Sequence, residues 1–558
     1  MTGEALQQDI AIDKDVEIRL RDGVKLRADV FRPKGGEKSP VLINIGAYQK
    51  DKVWVPPADL EEPANPHMNW ETVNPLWWVP RGYALVRVDT RGSGNSPGQT
   101  DPFSLQEALD FHDAIEWSAR QPWCNGNVGA IGISYFAMTQ WLVANLRPPS
   151  LKAMIPWEGA ADMYRDFAYH GGIFCLGFVA NWYNNHMAHH LLGRRENPSP
   201  DAFSKNWVWQ YMRESLESEH YRGRQARWDE IDIPFYSAGN WSGMGLHLRG
   251  NTEAFMRARS RHKKLRIHAG THYHPFYAEE ARRDQLRFMD HWLKGADTGI
   301  MKEPPVKLLI RTGGGKGYQW RNENEWPLAR TRWTKFYLKP GAPGAATGDP
   351  VEGLLEPGGA PNAGSIDYSA SGMSKAGVAS ASWTSTVLAG SLPRLGVSFE
   401  TAPFREDVEI TGPAVLNLWV SSTTEDMDVF ATLRNIDPDG KDVWEIGQQQ
   451  QPVPLAKGWL RASHRKLDSR LTLPYRPYHA HDERRWLAPG EKVELDIEIW
   501  PTCMVFREGH RLRLDIQPRD GVGAAPYTHY SADYNTGRNT LYTGGGMPSH
   551  LLLPVIPK

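Results

Sequence analysis

The sequence predicts an α/β core interrupted by a helical insertion and followed by an all-β C-terminal half. Three observations point there. Short apolar runs at residues 40–45, 83–88 and 128–131 alternate with helical stretches, the pattern of a parallel sheet covered on both faces. Residues 163–228 break that alternation, being rich in Trp, Tyr, His and Arg and mostly helical in spacing. From Pro304 onward the signal is short alternating strands, at residues 306–310, 334–338, 408–411, 415–420, 493–500 and 511–516. The expected organisation is therefore a core from 1–162 and 229–302, a cap from 163–228, and a jelly-roll-like β-sandwich from 303–558.

Taken in order, residues 16–20 alternate, Asp22-Gly23 turns, and residues 26–31 alternate again, which reads as a β-hairpin. The strand at 40–45 ends at Gly46-Ala47-Tyr48, and that at 83–88 closes on Asp89-Thr90-Arg91-Gly92-Ser93-Gly94. This glycine-rich turn lacks the Gly-Lys-Ser/Thr ending of a phosphate loop and reads as a tight strand-to-loop turn. Residues 104–120 carry apolar positions at helical spacing. A strand at 151–156 follows, and after the insertion come strands near 233–238 and 265–267 with a closing helix over 284–294. Residues 340–396 are Gly/Ala/Ser/Pro-rich and read as a long excursion.

Composition narrows the function. The chain has 558 residues, with 64 Lys+Arg against 65 Asp+Glu, so no basic excess argues for nucleic acid or anionic lipid. Three widely spaced cysteines, Cys124, Cys175 and Cys503, show no disulfide or metal-type pattern and fit a reducing compartment. No secretory leader and no membrane-length apolar run is visible, so the expectation is a cytoplasmic protein with no membrane partner. The 23 tryptophans suit large aromatic-lined pockets. His186, His189 and His190 lie close together, but no carboxylate or Cys is spaced beside them, and polar cap histidines are the reading. No metal or organic cofactor is implied.

The chemistry centres on residues 125–135. A glycine-bounded apolar strand runs into Ser134, and helical spacing begins at once with Tyr135-Phe136-Ala137. Strand, sharp turn, helix is the nucleophile elbow, which lifts a hydroxyl above a sheet edge. Serine needs a histidine to accept its proton and a carboxylate to orient that histidine, and in α/β-hydrolases they follow in the order Ser, acid, His. His272 stands after the last core strand, with His274 as its local rival and His268 too early. The backbone N–H of Tyr135 is one oxyanion donor by geometry, and the Tyr48 phenol is a candidate second.

Dispersed motifs carry a resemblance along nearly the whole chain. They are Asp22-Gly23-Val24-Lys25-Leu26-Arg27-Ala28-Asp29-Val30, Asp89-Thr90-Arg91-Gly92-Ser93-Gly94, Glu116-Trp117 with Gln121-Pro122-Trp123, Gly132-Ile133-Ser134-Tyr135, Trp292-Leu293-Lys294-Gly295 and Gly458-Trp459-Leu460-Arg461-Ala462-Ser463-His464. In these the chain resembles the S15, or CocE/NonD, serine hydrolases. The resemblance implies an α/β-hydrolase core, a helical cap and a C-terminal jelly roll. It also implies Ser134 as nucleophile, His272 as base, and Tyr48 with the Tyr135 amide as oxyanion donors. One departure matters: the family's acid lies in a Gly-x-x-Asp-Gly turn that reads Gly239-Asn240-Trp241-Ser242-Gly243 here, with Ser242 in place of Asp. Glu158, just beyond the strand ending at Pro156, is at the correct sheet edge and is the expected acid. Asp162 stands behind it, and Asp232 lies at the wrong edge.

The expectation is a serine hydrolase that cleaves carboxylic esters or amides through an acyl-enzyme on Ser134, with a bulky or aromatic substrate. An X-Pro-type dipeptidyl peptidase and an amino-acid-ester acyltransferase remain open. So does a non-catalytic binding protein with a degenerate triad. Cap and jelly-roll surfaces allow a homodimer without requiring one.

Overall fold

Residues 9–33 form the expected hairpin: β1 (Ile10–Arg19) and β2 (Lys25–Pro33) pair antiparallel around a turn in which Gly23 takes φ 89°. The computed structural model describes residues 9–57, 60, 64–188, 207–314, 317–341, 353–370, 396–521, 523, 526–530 and 536–558. After the hairpin come β3 (Ser39–Gly46), β4 (Ala84–Asp89), β5 (Cys124–Ile133) and β6 (Leu151–Trp157). A short ribbon follows, β7 (Tyr169–His170) against β8 (Ile173–Phe174). Next are β9 (Phe235–Asn240), β10 (Lys263–His268), β11 (Val306–Ile310) and β12 (Gln319–Glu323).

Ten of these strands make one sheet in the order β1-β2-β4-β3-β5-β6-β9-β10-β11-β12, and every pairing from β4 to β11 is parallel. Parallel strands are buried on both faces, which is why these segments read as continuous apolar runs. The helices Leu105–Ala119 and Tyr135–Ala144 pack Phe111, Ile115 and Trp141 on one face. The helix Glu279–Lys294 packs Phe288, Met289 and Leu293 on the other. Ser104 caps the first of these helices by accepting from the Glu107 N–H, and Gly295, at φ 69°, ends the last. The Asp89–Gly94 turn holds no room for a phosphate. The Asp89 carboxylate fills it, accepting from the Lys50 and Asn95 N–H groups, and a Cβ on Gly94 would lie 2.1 Å from that carboxylate.

The strand at 306–310, read from sequence as the start of the all-β half, pairs parallel with β10, so the core sheet continues past residue 302 to Glu323. The rest of the C-terminal half forms an 11-stranded sheet around its own core, with Leu416, Leu418, Ile497 and Leu514 fully buried. Its longest pair is Val408–Ser422 against Val493–Phe506. A register irregularity between Gly412 and Ala414 is why the first of these reads as two short strands.

Within 163–228 the chain forms π-helical turns at Met163–Ala168 and Trp182–Met187 and helices at Leu176–Asn181, Trp207–Arg213 and Glu219–Arg222. His189, His190, the Asn197-Pro198-Ser199-Pro200 breaker and most of 340–396 lie outside the described residues. No described helix is long and apolar enough to cross a membrane.

Candidate active site

The C-terminal ends of β5, β6, β9 and β10 share one sheet edge, where open α/β sheets place their sites. Ser134 leaves β5 with φ 53° and starts the helix Tyr135–Ala144. Strand and helix pass so close that a Cβ on Gly132 would lie 2.5 Å from the Phe136 Cβ. Phe136 occupies a position where a small residue is often found. The space it needs comes from Gly46 on β3, where a Cβ would sit 2.3 Å from the Phe136 ring. Glu158 and Glu71 also hold left-handed φ, 50° and 63°. Such conformations cost on the order of 1–3 kcal/mol each in a side-chain-bearing residue and concentrate where function demands a particular aim.

The imidazole on the serine is His247, whose Nε2 lies 3.1 Å from Ser134 Oγ. His247 leads into the helix Leu248–Arg257, after β9. His272, from the turn after β10, stacks on it with ring centroids 5.3 Å apart and planes 8° from parallel. The Nδ1 of His272 is 2.6 Å from Glu158 Oε2, and its Nε2 is 3.1 Å from Glu71 Oε1. Glu158 is fully buried and also meets His268 Nε2 at 2.9 Å, and it accepts from the amides of Asn240 and Gln448. Its Oε2 is 3.9 Å from His247 Nδ1, with Gln448 Nε2 nearer that ring nitrogen at 3.3 Å. Two stacked histidines thus share one buried carboxylate.

Their charges differ. Burial pulls His272 down, but the carboxylates of Glu158 and Glu71 outweigh it and raise the ring to about 10, so it is an imidazolium near neutrality. Burial and the positive His272 hold His247 down at about 3, with Glu158 opposing weakly, so it is a neutral imidazole. Burial pushes Glu158 up, yet His272 and His268 hold it well below the usual carboxylate range. Glu71 is raised by burial against the opposing pull of His272, and its Oε2 has no hydrogen-bond partner among the described residues. A neutral imidazole on a serine hydroxyl is able to take a proton; an imidazolium between two carboxylates is not.

Ser134 opens into a cavity of about 270 Å³ walled by Tyr48, Trp70, Phe178, Trp182, Tyr273 and Tyr527. The Tyr48 hydroxyl accepts from Trp182 Nε1 at 2.8 Å. Burial first and Glu71 second raise Tyr48 well above its ordinary value, which keeps it a donor. The Tyr135 N–H belongs to the first turn of its helix, where amides have no intrahelical partner. The β half reaches in too: the His272 N–H donates to the Gln448 carbonyl at 3.0 Å, and the Tyr527 hydroxyl donates to Gln448 Oε1 at 2.9 Å.

Comparison with known proteins fits this geometry. Residues 22–274 match the X-Pro dipeptidyl-peptidase (S15 family) model, and residues 298–552 match the X-Pro dipeptidyl-peptidase C-terminal non-catalytic domain. A CocE/NonD family hydrolase from Staphylococcus aureus superposes with a TM-score of 0.86 at 31% identity, covering 98% of this chain and 94% of that one. The chain belongs to the CocE/NonD (S15) family. Cocaine esterase from a Rhodococcus strain is 26% identical over 98% of this chain and 99% of its own length. A putative serine esterase of Mycobacterium bovis is 26% identical over 90% of each. The chain is a serine hydrolase of the CocE/NonD type, with an α/β-hydrolase-type domain and a C-terminal all-β domain.

Against the family pattern, the structure brings Ser134, Tyr48 and His272 to one cavity and puts Glu158 on His272. It does not put His272 on Ser134; His247 holds that place. Ser242 takes no part, its buried hydroxyl having no partner among the described residues. Asp162 caps the 163–168 turn and pairs with Arg165, and His268 serves Glu158. His274 begins the helix His274–Tyr277. Sequence reading missed His247, Glu71 and Gln448. Only His247 left a signal: it is a histidine between a core strand's C-terminal end and a helix, five residues beyond the vacated acid position.

Proposed function

We propose that the protein hydrolyses carboxylic esters with a bulky or aromatic group, using Ser134 as nucleophile and His247 as the base that first takes its proton. Ser134 Oγ bonds to the ester carbonyl carbon as its hydrogen passes to His247 Nε2. The resulting oxyanion is met by the Tyr135 N–H and the Tyr48 hydroxyl. Collapse expels the alcohol, which takes the proton from His247, and water then releases the acid by the same steps in reverse roles. Glu158 orients both histidines and balances the positive charge that forms on His247, once the 3.9 Å gap to its Nδ1 closes. The described part of 163–228, which brings Phe178 and Trp182 to the cavity, acts as a cap, and the C-terminal half, read as a jelly roll, adds Gln448 and Tyr527 to the cavity lining. The Ser134–His247 contact at 3.1 Å, on a left-handed elbow, carries this reading. The aromatic wall supports the substrate class.

The test is labelling of Ser134 by a fluorophosphonate probe, lost in Ser134→Ala, beside a panel of p-nitrophenyl esters and Ala-Pro or Gly-Pro anilides. Efficient turnover of the aryl esters over the anilides is expected. One observation favours a second reading, cleavage next to a free amine: Glu71 offers a buried carboxylate oxygen on the cavity wall. Preference for the dipeptidyl anilides, abolished by Glu71→Gln, would replace the first reading with the second.

A further inference from the structure

Among the described residues, two groups of metal-capable side chains bring at least three ligand atoms within 4.8 Å of one another. Glu158, His247 and His272 belong to the active site. The other group is His170, Cys175 and His529, and nothing in the hydrolysis uses it.

His170 ends the strand β7, Cys175 precedes the helix Leu176–Asn181, and His529 comes from the last third of the chain. All three side chains are buried. The nitrogens that face one another are His170 Nδ1 and His529 Nε2, 2.7 Å apart. Each ring's other nitrogen faces a group that only accepts. His529 Nδ1 lies 3.0 and 3.2 Å from the two Asp520 carboxylate oxygens, and His170 Nε2 lies 3.3 Å from the Asp166 carbonyl. Hydrogens placed to satisfy those acceptors leave lone pairs on both facing nitrogens. With those tautomers, a cation between the facing nitrogens would satisfy both lone pairs.

This is the arrangement by which proteins prepare imidazoles for a metal, with a carboxylate or carbonyl behind each ring fixing its tautomer. The third ligand atom is the Cys175 sulfur, buried and within 4.8 Å of a nitrogen of each ring. We propose that His170, Cys175 and His529 form a binding site for a zinc-type divalent cation, with the two imidazoles and the Cys175 thiolate as ligands. Two imidazoles and a thiolate suit a borderline-soft ion such as Zn²⁺ or Co²⁺ and not Mg²⁺ or Ca²⁺. Metal–nitrogen bonds of about 2.1 Å at a tetrahedral angle require the two nitrogens roughly 3.4 Å apart, so the rings need to part by well under 1 Å. Binding releases the thiol proton to solvent, and a water completes the fourth position.

The place of the site gives it a role. It joins the β7–β8 ribbon to the segment that carries Tyr527, and that seam is already stitched by backbone bonds from Gly177 to Thr528 and from Tyr530 to Phe174. Phe178 and Tyr527, with ring centroids 5.1 Å apart, stand beside it and wall the active-site cavity. The cation acts as a clip that fixes this wall. The sequence hid it because the ligands span 359 residues and match no spacing pattern.

The test uses the full-length protein, freed of metal with a chelator and titrated with Co²⁺. A thiolate-to-cobalt charge-transfer band saturating at one ion per chain is expected, displaced by Zn²⁺, with a rise in unfolding temperature. Cys175→Ser and His529→Gln should each lose the band and the rise, while His247→Gln, in the other cluster, keeps both. Ser134 labelling by fluorophosphonate checks that Cys175→Ser and His529→Gln fold, and far-UV circular dichroism checks His247→Gln. Absence of the band in the wild-type chain would overturn the site and leave a plain His170–His529 hydrogen bond. Its persistence in Cys175→Ser would do the same.

Discussion

The ends of β6 and β9 invite comparison, because the family's pattern puts the catalytic carboxylate after β9, whereas here the carboxylate that meets the site's histidines, Glu158, stands after β6. At the end of β9 stand Asn240, Ser242 and His247, and at the end of β6 stands Glu158. The two ends are neighbours in the sheet, paired parallel, so a carboxylate launched from either reaches the same volume. The vacated turn has not become inert. Asn240 donates to Glu158 at 3.1 Å, and the chain just beyond supplies the imidazole on Ser134. Position at the sheet edge, not membership of one motif, is what the chemistry needs.

The comparison is tested first where it predicts most. Glu158→Gln keeps the shape but removes the charge that serves both histidines, and kcat should fall by roughly 10⁴-fold, as when a triad acid is neutralised. A loss below tenfold would return the role to a residue near β9. Tyr48→Phe should cost about 10²-fold in kcat with little change in KM, the loss expected for one oxyanion donor.

The charge on His272 predicts a stability profile. Its pKa is raised to about 10 from an ordinary 6.5, so its contribution is complete below pH 6.5 and is lost as pH rises through about 10. Thermal unfolding of wild type and His272→Gln should therefore differ most near pH 6 and converge toward pH 10; a constant gap would contradict the charged ring. The smallest effect is expected at the vacated turn. Ser242→Ala removes a buried hydroxyl that has no partner among the described residues, so activity should stay at the wild-type level and stability within about 1 kcal/mol. A large drop in turnover would show that the β9 end still carries catalysis.

Much of this was legible in the sequence because the signals are local. The elbow at Ser134, the hairpin around Gly23 and the strands of the core follow from patterns within a few residues. Glu158 followed from one topological rule, that side chains just past parallel strands share an edge. His247, Glu71 and Gln448 reach the site across separations of 113 residues to Ser134, 201 to His272 and 290 to Glu158, which no periodicity encodes. The strand at 306–310 misled for a related reason. Apolar alternation marks a strand but not its partner, and β10 is a parallel partner joined through a helix.

The central claim is that the neutral imidazole of His247, and not the charged one of His272, first takes the Ser134 proton. The rate of Ser134 acylation by a fluorophosphonate, measured against pH in His247→Gln and His272→Gln, tests it directly. The account predicts a loss of roughly 10³-fold or more in His247→Gln. In His272→Gln it predicts a measurable rate whose acid limb moves to higher pH, because the positive neighbour that depresses His247 is gone. Near wild-type acylation in His247→Gln with none in His272→Gln would contradict it.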